Sequence, residues 1–478
     1  MKKLILMLLA LNMSLFLMQG GAWAATYYVD ASLGRDKNLG TSPSAAWKSI
    51  RKVNSFSFKP GDNVLFKRGQ TWTGRLVIRA SGTETMPITF ADYDAGNKPK
   101  INGANINYAM IIDEASYITI RNLEIINTQG HGIVVWNGAV NGLVTIDSCD
   151  IHDNLKNGIS VKDRGNVVVK NCRIYANRAN GFSAYYSNDT GSWSDVICNN
   201  IQLLNNLVYN NGRAGVYLAG HNAVIQRNTF YTNGIVELNH NVYVIGDNSL
   251  VEKNIFKDAA KVGYRYEGSN MVFRYNYLEG NKKHNLSFWN DFPNVMTNNK
   301  VYYNIFLVRK VTGPTDLTSM AIFVGANSYS GIFDGIEIYN NSIYATDDDA
   351  GGIWLQNCDN IKVKNNIIDI GNGCLIYKDE TKIKLQSDYN IFESPEIAPL
   401  YTGSIFAEFH DWQALGYDQH SHFALPHFVN SSPQTDADFM LAPDSCAIGD
   451  GVYLALNYDY RGTPVPGTPD IGALQHLN

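Results

Sequence analysis

From residue 120 to about 392 the chain repeats one short pattern: an apolar residue, two variable ones, Asn, a variable one, then an apolar residue. It reads as Leu203 to Val208 around Asn206, Ile225 to Phe230 around Asn228, Val251 to Phe256 around Asn254 and Phe273 to Leu278 around Asn276. Asn304, Asn341, Asn366 and Asn390 continue the row, and Leu123, Cys149 and Cys172 hold the same place in earlier copies. Successive copies are 22 to 37 residues apart. Short β-branched and aromatic runs repeating every ~20 to 30 residues predict a solenoid of parallel strands, a β-helix. Each coil parses into one strand before the Asn, one after it and a third that often opens with Gly, as at Gly132, Gly158, Gly181, Gly215 and Gly263. Alternation sends the second and fourth residues of that third strand inward and the third and fifth outward. The Asn row itself reads as scaffold. Asn tolerates a left-handed backbone in a tight turn, and stacked amides can bond one another.

Around the repeats the pattern changes. Residues 1–24 carry Lys2 and Lys3, an apolar run from Leu4 to Met18 and Ala22-Trp23-Ala24, the form of a secretory leader cut after Ala24. Residues 25–63 are expected to form an N-terminal cap. Its short helix would start at Ser42-Pro43 and lay Trp47, Ile50 and Val53 over the end of the first coil. Residues 64–392 form the β-helix, and 393–478 the C-terminal coils and cap of the same domain. Two insertions, Ser187 to Val196 and Arg309 to Ser319, stand where they could wall a groove.

Charge and composition exclude some roles. The formal charge of the 478-residue chain is -5, or -7 without the two leader lysines, which disfavours nucleic acid as a partner. No later stretch approaches the ~20 apolar residues of a membrane span. The mature protein is therefore expected to be secreted, whether periplasmic, extracellular or cell-surface, and monomeric. Six cysteines do not make a disulfide scaffold in a chain this long. Cys149 and Cys172 share a ladder position, so they form either a disulfide or two stacked buried thiols.

The terminal motifs carry a resemblance. Tyr27-Tyr28-Val29-Asp30, Gly34, Asp36, Asn38, Gly40 to Pro43, Trp47 to Ile50 and Pro60-Gly61-Asp62 form one set. Trp412-Gln413, Gly416, Asp418, His420-Ser421, Pro426 and Asp470 to Ala473 form the other. With the coils between them they resemble the secreted right-handed parallel β-helix proteins of the pectate-lyase-like superfamily. The resemblance implies an all-β, single-stranded solenoid whose substrate, an extended polysaccharide, lies on the outward face of the third strands. Lyases, epimerases, glycosidases and non-catalytic surface proteins share this fold, so it does not fix the reaction.

The outward positions of that face are aromatic, with charge in the middle. Trp136, Lys162, Tyr185, Tyr217, Trp289 and Trp354 are candidate sugar contacts, with Lys378 at the end of the row. Register places Arg265 between Tyr243 and Ser287, and Glu267 near Asp247 or Asp291. A lyase acting on a uronate must offset a carboxylate, remove the proton beside it and protonate the leaving oxygen. Arg265 would bind the carboxylate, with Tyr243 or His240 as base or acid. An ion pair of Arg265 with Glu267 is the plain alternative. Calcium on Asp247, Glu267 and Asp291 could take the arginine's role. Paired carboxylates at Glu267 and Asp247 or Asp291 equally allow glycoside hydrolysis, and a groove without working carboxylates would only bind glycan. On this reading Arg265→Ala removes activity with little effect on unfolding. Asp347-Asp348-Asp349 reads as a solvated turn and His410, His420, His422 and His427 as structural. Asp30, Asp36 and Asn38 read as a capping loop or a calcium loop.

Overall fold

The computed structural model describes residues 24–137, 142–185, 198–236, 239–309, 319–326, 331–345 and 350–476. The leader up to residue 23, both insertions apart from Arg309 and Ser319, and Asp347–Asp349 lie outside these residues. Three 14-stranded sheets run the length of the solenoid, each taking one strand from every coil, and nearly every pairing is parallel. Ile, Val, Leu and Phe fill the interior, with Phe230, Phe256 and Phe273 stacked in successive coils. No helix among the described residues is long and apolar enough to cross a membrane.

The Asn row is present as a hydrogen-bonded ladder. Asn206 Nδ2 donates to Asn228 Oδ1 at 2.9 Å, Asn228 to Asn254 at 3.0 Å, Asn254 to Asn276 at 3.0 Å, and so on to Asn390. The left-handed residue of the turn, however, is the one before the ladder: Asn205, Arg227, Lys253, Tyr275 and Tyr303 all have φ between 52° and 57°. Backbone tolerance therefore does not select the ladder asparagines, since Arg, Lys and Tyr take the strained position. Their amides do, because each serves coils on both sides. Two further rows accompany this one. An inner row links Asn154, Asn177, Asn211 and Asn233 at the turn into the third strand, and an exposed row links Asn166, Asn200, Asn222, Asn248, Asn270 and Asn298. Three of the inner row share a sequence signal that periodicity alone misses: Asn154, Asn177 and Asn211 each stand four residues before the Gly of the third strand. Cys149 and Cys172 are stacked buried thiols, the Cys149 N–H donating to Cys172 Sγ at 3.4 Å.

The ends differ from expectation in detail. Thr26–Val29 is already a strand of the first sheet, so the first coil begins inside the expected cap. Ser42 caps only a 3-10 turn, Pro43–Ala45, and the α-helix is Ile50–Asn54, capped by Ser49. Trp47 lies between them and bridges to Val29, yet Trp47, Ile50 and Val53 are all buried over the coil end. Asp30 accepts from the N–H groups of Ser32 and Leu33, and Asp36 from those of Lys48 and Ser49, so this loop is a capping device. At the other end Asp418 closes the ladder, accepting from Asn390 Nδ2 and Trp412 Nε1 at 2.8 Å each. Beyond it the chain adds one more short parallel strand, His422–Phe423, and then runs back along the solenoid. Val452 O meets Asn365, and the Ala473 N–H meets Ser342. The four histidines do not form a common site, since each has its own carboxylate neighbour: His410 Asp411, His420 Asp388, His422 Asp450 and His427 Asp444.

On the second sheet Asp369 and Glu393 face each other in register. Burial first, and then the Glu393 charge, push Asp369 up to about 7, and burial raises Glu393 as well. Raised carboxyls favour the folded state only while protonated, so their contribution is complete below about 4 and is lost as pH rises through about 7. Thermal melts should show the midpoint falling across that window, and Asp369→Asn should flatten the slope. An unchanged slope would show that the pair is relaxed by solvent.

Candidate functional site

Two outward rows of the third sheet carry the candidate residues. One row runs Val134, Ser160, Ser183, Tyr217, Tyr243, Arg265, Ser287, Phe323, Trp354 and Tyr377, each opposite the next. The other starts Trp136, Lys162, Tyr185, where the Lys162 ammonium sits 6.0 and 5.6 Å from the two ring centres. Lys378 departs from the expected row. It pairs with inward Leu355, is buried, and bonds the carbonyls of Glu380 and Thr381 at the coil end.

Arg265 is the hub of the centre. Its Nη2 donates both to Glu267 Oε1, at 2.5 Å, and to Asp291 Oδ2, at 2.9 Å, and its guanidinium lies 4.5 Å from the Tyr243 ring centre. The Tyr243 hydroxyl also donates to Glu267 Oε1. Glu267 is fully covered, with Oε2 lacking a partner among the described residues, whereas the Asp291 side chain is 45% exposed. Asp291 is held a second time by Trp289 Nε1 at 2.7 Å. Burial raises the Tyr243 and Glu267 pKa values. Tyr243 is thus a protonated donor, the acid of the two roles weighed for it from the sequence. His240 packs edge-on to Tyr243, its ring centre 5.5 Å away, with Nδ1 buried and unpartnered among the described residues. Burial and then the Arg265 charge keep that imidazole neutral.

Asp247 does not join this centre. Its strand ends at Ile245, Gly246 turns with φ 134°, and the Asp247 carboxylate accepts from the Ser269 N–H at 2.7 Å. Among the described residues no three His, Cys, Asp or Glu side chains converge as metal ligands. The expected calcium set of Asp247, Glu267 and Asp291 is therefore not assembled: one carboxylate faces a turn, and Arg265 takes the other two.

Turns contribute what strand reading missed. A cavity of about 890 Å³ lies beside the first row, walled by Lys156, Lys162, Arg178 and Arg213, with Tyr108, His131, Tyr185 and Tyr217. Burial and then Lys162 and Lys156 bring His131 down to about 4, so it adds no charge. Nearer the centre, burial, Lys261 and Arg265 lower the pKa of Lys283, whose N–H bonds the Lys261 carbonyl. The signal is a basic residue two or three places before the third strand's Gly, as at Lys156, Arg178, Arg213 and Lys261. A second cavity, of about 530 Å³, lies at the other end of the row around Trp354, Tyr377 and Phe406.

Residues 27–195 match the family model of the Pel9A-like right-handed β-helix region, and residues 190–315 and 240–409 match that of the right-handed β-helix region. Over 131 residues the chain is 33% identical to a lacto-N-biosidase of Bifidobacterium longum subsp. longum. That match covers 21% of this chain and 8% of the relative, so the chain spans a small part of the relative's length. Among solved structures it is similar to a GH136 lacto-N-biosidase from Eubacterium ramulus, with TM-score 0.55, 17% identity, and 70% and 67% of the two chains covered. XylC in complex with xylose also has TM-score 0.55, with 10% identity over 95% and 98%. Pectate lyase Pel9A has 0.47, with 14% identity over 96% and 98%. At these identities the structural likeness is one of fold.

Proposed function

We propose that this right-handed β-helix protein, with its Pel9A-like β-helix region, is an exported enzyme that lays a uronate-containing polysaccharide along the third sheet and cleaves it by β-elimination at Arg265. The observation that carries this reading is the basic cavity, lined by Lys156, Lys162 and Arg178 and by no carboxylate among the described residues. A polymer bearing carboxylates offsets that charge, and a neutral glycan does not. At the centre the substrate carboxylate replaces exposed Asp291 on Arg265 Nη2, while buried Glu267 keeps the guanidinium in place. Lys283 directly precedes the strand paired with that of Arg265, where burial and the Lys261 and Arg265 charges lower its pKa, and it is the base assigned to the proton beside the carboxylate. The Tyr243 hydroxyl, kept protonated by burial, supplies a proton to the leaving oxygen.

One observation favours glycoside hydrolysis as a second reading. Arg265 Nη2 touches both carboxylates, so Glu267 Oε1 and Asp291 Oδ2 lie no farther apart than two hydrogen bonds end to end. That is within the ~5.5 Å upper range of a retaining pair. Burial raises Glu267 toward a neutral acid, as such a pair requires. The match to a lacto-N-biosidase fits this reading. It requires Glu267 to emerge from beneath Arg265 and Tyr243, which is why elimination is preferred.

Incubating the mature chain with a panel of uronate and neutral polymers separates the readings. Elimination leaves unsaturated ends that absorb in the ultraviolet, and these are the expected result on uronates. New reducing ends without that absorbance would transfer the chemistry to Glu267 and Asp291. Binding with neither signal would make the protein a glycan-binding one.

A further inference from the structure

The groove has two unlike arms, and we propose that its substrate is a heteropolymer, with acidic sugars on the N-terminal arm and neutral sugars on the C-terminal arm. This rests on the reading of the third sheet as the glycan groove. On the N-terminal side the floor of the first row is small, Val134, Ser160 and Ser183, which opens depth between the basic walls. On the far side of Arg265 the same row becomes Phe323, Trp354 and Tyr377. Among the described residues the cavity there is lined by Glu396 and by no lysine or arginine. A carboxylated sugar would meet a like charge in it, whereas a neutral sugar offers C–H faces to the rings. Trp354 packs edge-on to both neighbours, at 5.4 Å to Phe323 and 5.3 Å to Tyr377. Trp354 stays only partly buried between them.

The spacing suits one extended chain. Arg265 lies two strands beyond Tyr217, the last ring of the basic cavity, and three strands before Trp354. At the rise of paired strands this is ~10 Å one way and ~14 Å the other. A polymer filling both arms crosses Arg265 at the junction of its acidic and neutral stretches.

Titration calorimetry tests this with two sets of probes: galacturonate, mannuronate and guluronate oligomers, and xylan, glucan and mannan oligomers. At least one probe of each set should bind, and saturation with one should leave the other's affinity unchanged. Arg178→Glu should weaken the uronate about tenfold and spare the neutral probe, and Trp354→Ala should do the reverse. Arg178→Gln and Trp354→Phe, milder changes at exposed Arg178 and half-buried Trp354, should move each affinity in the same direction. Mutual displacement, absence of binding by either set, or equal loss of both probes in one variant would overturn the proposal. Because binding is read without turnover, the split can hold even if no cleavage is found. Conversely, cleavage of a uronate polymer together with displacement of the neutral probe by uronate oligomers would sustain the enzyme and remove the second arm.

Discussion

Arg265→Ala is expected to abolish cleavage and, unlike the expectation from sequence, to destabilise the fold. Losing the group that offsets the substrate carboxylate should cost about a hundredfold or more in kcat/KM. The stability cost comes from beneath. Glu267 is fully covered and accepts from Arg265 Nε and Nη2 and from Tyr243, so the substitution leaves a buried carboxylate with one donor. Breaking a buried pair from one side costs about 3 kcal/mol. The sign with pH follows from Glu267, whose pKa burial already raises. Removing the guanidinium raises it further. The variant's deficit should therefore be small in acid, where the carboxyl is neutral, and widen as pH rises past the ordinary carboxylate value. The double variant Arg265→Ala/Glu267→Gln should recover most of the stability and none of the activity. Denaturant melts from pH 4 to 8 together with the cleavage assay decide it: recovery of both would make Arg265 a structural ion pair and nothing more.

What strand alternation governs was legible in the sequence. Tyr243 and Ser287 flank Arg265 as the register required, because the ladder spacing counts coils and alternation assigns faces. The misreadings cluster where alternation stops. Asp247 was counted along a strand that ends at Ile245, and Lys378 along a strand whose inward position it takes against Leu355. Trp47 fits a helical stripe with Ile50 and Val53, but the cap reaches the same burial with a bridge and a shorter helix. Lys156, Arg178 and Arg213 stand on turns, where no period of two or 3.6 marks a face, so the charge of the groove became visible only with the coils stacked. For Tyr243 the sequence left base and acid open. Its partner and burial, which keep it protonated, depend on neighbouring coils.

The ladder carries the second large effect, and there removing an asparagine and adding one should have opposite signs. Asn276 Nδ2 donates to Val251 O and Asn304 Oδ1, and its Oδ1 accepts from both the N–H and the Nδ2 of Asn254. Asn276→Ala strands buried groups in both neighbouring coils. At ~1–3 kcal/mol for each unsatisfied group, partly relieved by relaxation, the loss should be about 4 kcal/mol. At Cys172 the ladder is already imperfect. The Cys149 N–H reaches only a sulfur at 3.4 Å, and Asn206 Oδ1 takes the Cys172 N–H without a second, side-chain donor. Cys172→Asn would supply an oxygen to the first and an amide to the second in the geometry that Asn206 and Asn228 already use, and it should stabilise by about 1 kcal/mol. Chemical denaturation of both variants reads the two signs directly. A destabilised Cys172→Asn would mean that the coils near Cys149 are packed for sulfur, and that hydrogen bonding alone does not set the residue at each rung.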